Sequence, residues 1–124
     1  MPVKTEEIMS FDEQLSNRIR EALVDLPQVE EKLMFGGICY MLNGKMSIGV
    51  IKDEMMCRIG PGQKEAALER PGCREMRFSG KPMAGMVFVS AEGMRSKPDF
   101  DYWINLCLDY NPHARSSKRK PGNN

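Results

Sequence analysis

Histidine is nearly absent from this sequence, since His113 is the only one in 124 residues. It follows the last helical pattern and stands among polar residues, so we expect it at the surface. One histidine in that position predicts neither a histidine-based catalytic triad nor a histidine-rich metal site.

Closely spaced cysteines are also missing. Zinc sites and redox motifs usually need a Cys-x-x-Cys pair, and none is present. In a reducing compartment, isolated cysteines behave as small buried hydrophobic residues. We expect that role here, although spacing alone leaves open a site assembled from distant cysteines: Cys39, Cys57, Cys73 and Cys107.

Several longer patterns are lacking as well. No apolar run approaches the roughly 20 residues that span a bilayer, and the polar N-terminus has no signal-peptide core. The glycines form neither a Gly-x-Gly-x-x-Gly nor a Walker pattern, so no nucleotide cradle is indicated. The carboxylates show no obvious pair, and no acid, base and nucleophile are matched. We therefore predict a cytoplasmic protein that does not enter a membrane. We identify no cofactor-binding, metal-binding or catalytic residues in it.

Positive charge is concentrated at the C-terminus, although the formal net charge is only +1. The last ten residues contain no acid and four basic residues, which are candidate phosphate contacts: Arg115, Lys118, Arg119 and Lys120. The preceding residues carry 14 basic and 17 acidic side chains, a balance of −3, which argues against a domain-wide nucleic-acid surface. We expect residues 113–124 to form a disordered basic tail, able to bind nucleic acid weakly and without sequence preference.

The stretch from Lys32 to Ile51 organises the chain. Asn43-Gly44 lies between two apolar runs and favours a type I′ turn, which joins antiparallel strands. Ile38–Leu42 and Met46–Ile51 are therefore predicted to form a two-residue hairpin.

Further strand patterns extend this hairpin into an antiparallel meander. Glu31 interrupts the apolar parity of the first strand, which predicts a ragged beginning for it. Gly36-Gly37 permits a sharp reversal or a bulge after that strand. The predicted flanking strands are Val29–Phe35 and Met55–Ile59, which gives a meander of three or four strands. A second hairpin is predicted from Arg74–Phe78 and Met83–Val89.

Three helices complete the predicted α+β fold. The first covers residues 11–25, with Ser10 and Glu13 as a capping box, and a short one covers residues 63–69. The last begins at Ser96, ends near Tyr110 and carries Trp103 on its apolar stripe, where we expect a core residue. We divide the chain into an N-terminal extension (1–9), a domain (10–112) and the tail (113–124).

Methionine is unusually abundant, with eleven residues, many of them in the predicted strands. Flexible thioethers can fill gaps in a small core, or they can form an adaptable protein interface. Soft-metal binding with Cys39 or Cys57 is a third alternative. The candidate interaction surface consists of Met34, Phe35, Met41 and Met56.

The order and spacing of several short motifs resemble the N-terminal domain of the TfoX/Sxy family over residues 11–110. The motifs are Lys32-Leu33-Met34-Phe35-Gly36-Gly37, Asn43-Gly44-Lys45, Arg58-Ile59-Gly60-Pro61, Pro71-Gly72, Phe78-Ser79-Gly80-Lys81-Pro82-Met83 and the helix of Trp103. The resemblance implies an α+β domain with a central antiparallel sheet and helices at both ends. It implies no catalytic residue.

Members of that family include regulators of bacterial natural competence, thought to act with a transcription factor at promoters. Those regulators carry a further helical C-terminal domain, and these 124 residues hold no counterpart of it. We therefore expect a non-catalytic protein-interaction or regulatory module, whose partner is either a second copy or a regulatory protein. Self-association would use a sheet edge or the methionine-rich face. The first alternative is a nucleic-acid accessory protein that acts through residues 115–120. An enzyme is the third, because the sequence offers no matched acid, base and nucleophile.

Overall fold

A computed structural model describes residues 11–115 of the protein. Within these residues, three helices accompany one six-stranded antiparallel sheet with the strand order β1-β2-β3-β4-β6-β5. This confirms the predicted α+β fold and meander. The elements in chain order are α1 (Glu13–Ala22), β1 (Val29–Met34), β2 (Gly37–Leu42), β3 (Lys45–Ile51), β4 (Glu54–Arg58), α2 (Lys64–Leu68), β5 (Cys73–Phe78), β6 (Lys81–Val89) and α3 (Lys97–Tyr110).

Two-residue turns connect the hairpins. Asn43 and Gly44 both have positive φ, 54° and 79°, as a type I′ turn requires, which confirms the central prediction. The Phe35-Gly36 turn has the same signs, so β1 ends at Met34 and not at the predicted Phe35. Each such turn fixes the register of the strands that it joins.

Helix α1 begins later than predicted. Its N-cap is Asp12, whose side chain accepts hydrogen bonds from the backbone N–H groups two and three residues further on, at 2.8 and 3.1 Å. Phe11 lies in a parallel bridge with Lys52, which holds the backbone extended before the helix. The capping box of Ser10 and Glu13 was therefore wrong, and Ser10 itself lies outside the described residues.

The helices pack on one face of the sheet. Trp103 of α3 is fully buried there, and its Nε1 donates a hydrogen bond to the carbonyl oxygen of Gly93 at 3.1 Å. This confirms Trp103 as a core residue. Ser96 caps the same helix, with its hydroxyl oxygen accepting a hydrogen bond from the N–H of Asp99.

The opposite face of the sheet is formed largely by methionine. A second cluster of buried side chains lies there, so both faces of the central strands are covered. This explains why both parities of those strands are apolar in the sequence. The cluster consists of Cys39, Met41, Met46, Met56, Met76 and Met86.

The described chain continues past α3 as a short 3₁₀ turn, Asn111–His113. His113 is exposed, whereas the following Ala114 is buried, and the carbonyl oxygen of Arg115 accepts a hydrogen bond from Arg58 at 3.1 Å. The described structure therefore includes residues 113–115 of the predicted tail. The predicted extension, residues 1–9, and positions 116–124 of the predicted tail lie outside the described residues. No helix among residues 11–115 is long and apolar enough to cross a membrane.

Candidate interaction surface at the first strand

Strand β1 lies at one end of the sheet, and within residues 11–115 its only paired neighbour is β2. Antiparallel residues alternate between pairs that exchange backbone hydrogen bonds and pairs that do not. Met34 and Gly37 close the two-residue turn, and the carbonyl oxygen of Gln28 accepts a hydrogen bond from the N–H of Asn43 at 3.1 Å. The even-numbered residues of β1 therefore direct their backbone groups towards β2. The odd-numbered ones direct theirs outwards, where another strand could pair.

Exposed apolar side chains accompany this edge. Val24 is 73% exposed, Leu33 is 59% exposed and Leu26 is 38% exposed. Scattered exposed apolar residues are normal, but these three lie along a single edge of one small domain. We call Val24, Leu26, Val29 and Leu33, together with the outer edge of β1, the β1 surface.

A cleft of about 280 Å³ opens on this surface between the end of α1 and β1. Its apolar wall is formed by Leu23, Val24, Leu26 and Val29. Leu33 does not line the cleft, so the surface combines an apolar cavity with an exposed apolar side chain outside it.

An ion pair fixes α1 beside β1. Arg20 donates from Nε and Nη2 to the two carboxylate oxygens of Glu31, at 2.7 and 2.9 Å. This two-fold hydrogen bond holds the pKa of the Glu31 carboxyl below its usual value. Glu31 therefore stands ionised and already neutralised in the middle of the edge strand at pH 7.

A buried tyrosine also connects α1 to the sheet. The Tyr40 side chain of β2 is fully buried, and its hydroxyl donates to the carbonyl oxygen of Ser16 in α1 at 3.2 Å. The Tyr40 and Ser16 hydroxyls also bond to each other. Burial raises the pKa of Tyr40, so it stays protonated and available as a donor. These bonds connect α1 to β2 beside the cleft.

The other edge of the sheet, β5, is protected by charge and by irregular backbone. Glu75 accepts hydrogen bonds from Lys64 of α2 at 2.9 Å and from Arg77 at 3.2 Å, and Arg74 pairs with Glu54. The register of β5 also shifts between Glu75 and Arg77. Bulges and charged side chains hinder the addition of a strand, so the two edges are not equivalent.

An open groove of about 690 Å³ between α1 and α3 is larger than the cleft. Three of its charged side chains already have partners within the fold. Arg18 donates to the carbonyl oxygen of Met94 at 3.0 Å and stacks 4.1 Å from the ring centre of Phe100, and Lys97 pairs with Asp101 at 2.8 Å. The groove is therefore a weaker candidate than the β1 surface.

The cysteines lie mostly in the core and are all free thiols. Burial raises the pKa of Cys39 and of Cys73 to about 11, and burial together with the neighbouring Cys107 raises the pKa of Cys57 well above its usual value. Thiols in this state are poor nucleophiles at neutral pH. Among residues 11–115, no three His, Cys, Asp or Glu side chains are grouped to hold a metal ion.

The structure places the residues proposed from the sequence in different environments. Met34 is half-buried at the end of β1 and Phe35 is partly exposed in the turn, whereas Met41 and Met56 are buried in the methionine cluster. Their role in an interaction stays a prediction. Arg115 is exposed at the end of the described chain, and Lys118, Arg119 and Lys120 lie outside it.

Sequence reasoning missed Val24, Leu26 and Leu33 as surface residues. The first helix was predicted to continue to residue 25, but α1 ends at Ala22. The signal that could have identified the edge was Glu31, a charge on the apolar parity of β1, because charged residues are typical of edge strands.

The family model of the TfoX N-terminal domain matches residues 6–110. No curated protein and no solved structure matches the chain significantly. The matched range contains the whole sheet and the three helices described above, including β1 and its flanking cleft. The chain belongs to the TfoX N-terminal domain family.

Proposed function

We propose that this protein is a non-catalytic interaction module that binds a protein partner through the β1 surface. The observation that carries the proposal is the outward-facing backbone of β1 beside an apolar cleft and an exposed Leu33. A partner strand that pairs with such an edge gains main-chain hydrogen bonds. The fit of its side chains into the adjacent pocket makes the binding specific.

A regulatory role in the cytoplasm is part of this proposal. The regulators among the family members support it by analogy. The four free cysteines support the location, because unpaired thiols are typical of reducing compartments.

A second candidate function is binding to nucleic acid through the C-terminus. The four basic residues among the last ten favour it, and the exposed Arg115 begins that segment. The acidic balance of the preceding residues opposes it, because that part of the chain repels phosphate.

Affinity purification of the full chain from its native cells, with RNase and DNase present, tests the interaction module. The informative variant is Leu33→Glu, which puts a charge on the β1 surface. Leu68→Glu on α2 is the matched control, because Leu68 is also exposed (37%) but lies elsewhere. Proteins that bind the β1 surface should be recovered with the wild type and with Leu68→Glu, and lost with Leu33→Glu.

Recovery of the same proteins with Leu33→Glu would contradict the proposal. Loss of all recovered proteins on nuclease treatment would favour the nucleic-acid alternative. Thermal unfolding of both variants checks that each is folded at the temperature of the experiment.

A further inference from the structure

We infer that the partner of the β1 surface is a second copy of the same chain, whose β1 pairs antiparallel with this one around a two-fold axis at Glu31. The inference rests on the proposed function, because it names the strand that would occupy the edge. It makes one continuous sheet from two copies.

The directions of the backbone groups determine which residues of the two β1 strands can pair. Val29, Glu31 and Leu33 direct their N–H and C=O groups outwards, as the register of the hairpin shows. With the axis at Glu31, each outward-facing residue meets an outward-facing residue: Glu31 meets the partner's Glu31, and Val29 meets the partner's Leu33. Three such pairs exchange two hydrogen bonds each.

Charge complementarity selects the register among the pairings that these directions allow. Directly opposed residues of antiparallel strands lie on the same face, and opposite charges in such pairs are favourable. The axis at Glu31 places Glu30 opposite the partner's Lys32, and by symmetry this pair occurs twice. Moving the axis one residue in either direction instead places Lys32 against the partner's Lys32, or Glu30 against the partner's Glu30.

The apolar side chains fit the same register. Val29 lines the cleft, and the partner's Leu33 stands directly opposite Val29 on the same face of the sheet. The exposed Leu33 of each copy is thereby brought to the apolar cleft of the other, beside Val24 and Leu26. The residue on the axis, Glu31, is already neutralised by Arg20 in each copy, so the two carboxylates meet as ion pairs rather than as bare charges.

A charge-reversal cycle on the full chain tests this register. Molar mass is measured by sedimentation equilibrium at protein concentrations up to about 1 mM for the wild type, Glu30→Lys, Lys32→Glu and the double variant. Each single reversal turns two attractive pairs into two repulsive ones, and should weaken the dimer by about tenfold. The double variant restores both opposite-charge pairs and should return the dimerisation constant to within about threefold of the wild type.

Two further variants separate this register from other causes. Glu65→Lys, at an exposed position of α2, makes the same change in net charge as Glu30→Lys and should leave the dimer unchanged. Leu33→Ala keeps every charge and should still weaken the dimer, because the cleft loses its apolar occupant. Glu30, Lys32 and Leu33 are all exposed, so thermal unfolding should show each variant folded.

A wild-type protein that stays monomeric at the highest concentration would overturn the inference. A dimer that is insensitive to the single reversals, or that the double variant does not restore, would overturn it equally. If the chain is monomeric while capture from cells still depends on Leu33, the β1 surface binds a different protein. The proposed function then stands and the self-pairing does not.

Discussion

The side-chain amide of Asn43 donates a hydrogen bond to the side-chain oxygen of Asn111 at 3.0 Å, which joins the central turn to the end of α3. Asn111 also donates to the carbonyl oxygen of Leu42 at 3.2 Å, and its own carbonyl oxygen accepts from Lys45 at 3.0 Å. Asn111 is only 5% exposed. The β2–β3 hairpin and α3 are thus held together by one buried amide.

Replacing that amide should destabilise the fold. In Asn111→Ala, the carbonyl oxygen of Leu42 loses a buried hydrogen bond and Asn43 loses its partner, which should cost about 1–3 kcal/mol. Asn105→Ala, at an exposed position of α3, is the matched control and should change the free energy of unfolding by less than about 0.5 kcal/mol. Urea unfolding measures both, and equal effects would show that the amide does not hold the hairpin to the helix.

The turn at Gly44 provides a second test. A Cβ at Gly44 would meet no atom within 4 Å, so Gly44→Val introduces no clash, but the φ of 79° strains a branched side chain. The loss should be about 1–3 kcal/mol. Gly62 is equally open but does not have positive φ, so Gly62→Val should be nearly neutral. Similar melting temperatures for the two variants would argue against backbone strain in the turn.

The buried thiols predict a loss of stability at alkaline pH. An unfolded cysteine titrates near pH 9, whereas the pKa of Cys39 in the folded protein is about 11. Between these values the unfolded chain releases a proton that the folded chain keeps, so the free energy of unfolding falls as the pH rises. Each such cysteine contributes a slope of at most about 1.4 kcal/mol per pH unit. Below pH 9 the contribution is fully present.

Urea unfolding in reducing buffer between pH 8 and pH 11 measures this slope. Cys39→Ala should make the slope of unfolding free energy against pH shallower by the contribution of one cysteine. The same substitution should also lower the stability at pH 8, because packing contacts are lost. An unchanged slope in Cys39→Ala would mean that this thiol ionises as easily in the folded state as in the unfolded one.

Salt dependence tests the nucleic-acid alternative. If only Arg115, Lys118, Arg119 and Lys120 contact duplex DNA, the logarithm of the binding constant should fall with the logarithm of salt concentration with a slope no steeper than about −3.6. Alanine at all four positions should abolish the binding seen at low salt. Titration of labelled duplexes checks both. Sequence-dependent binding at about 150 mM salt that survived the fourfold change would place a DNA surface on the folded residues.

Local chemistry explains which parts of the fold were predictable. The Asn43-Gly44 turn follows from two residues that accept positive φ, and the Ser96 cap of α3 follows from a hydroxyl beside a helical pattern. Neither depends on distant contacts. The start of α1 was missed because the bridge between Phe11 and Lys52 joins residues that are far apart in the chain.

The exposure of Leu33 was not predictable for a similar reason. Leu33 lies on the apolar parity of β1, and parity alone assigns it to the helix-covered face. Whether that position is covered depends on where α1 ends and where it crosses the sheet, which is set by the Arg20–Glu31 pair and by Tyr40. These are tertiary contacts, and no local pattern in the sequence records them.

The protected β5 edge sets a limit on growth. A sheet that accepts strands at both ends can extend without limit into a fibre, whereas the pairing that we propose uses only the β1 end of the sheet formed by residues 11–115. Once β1 is occupied, the remaining ends carry the ion pairs of Glu75 and the irregular backbone beside it. With the proposed pairing, addition would therefore end after one step, and β5 would oppose fibrillar aggregation.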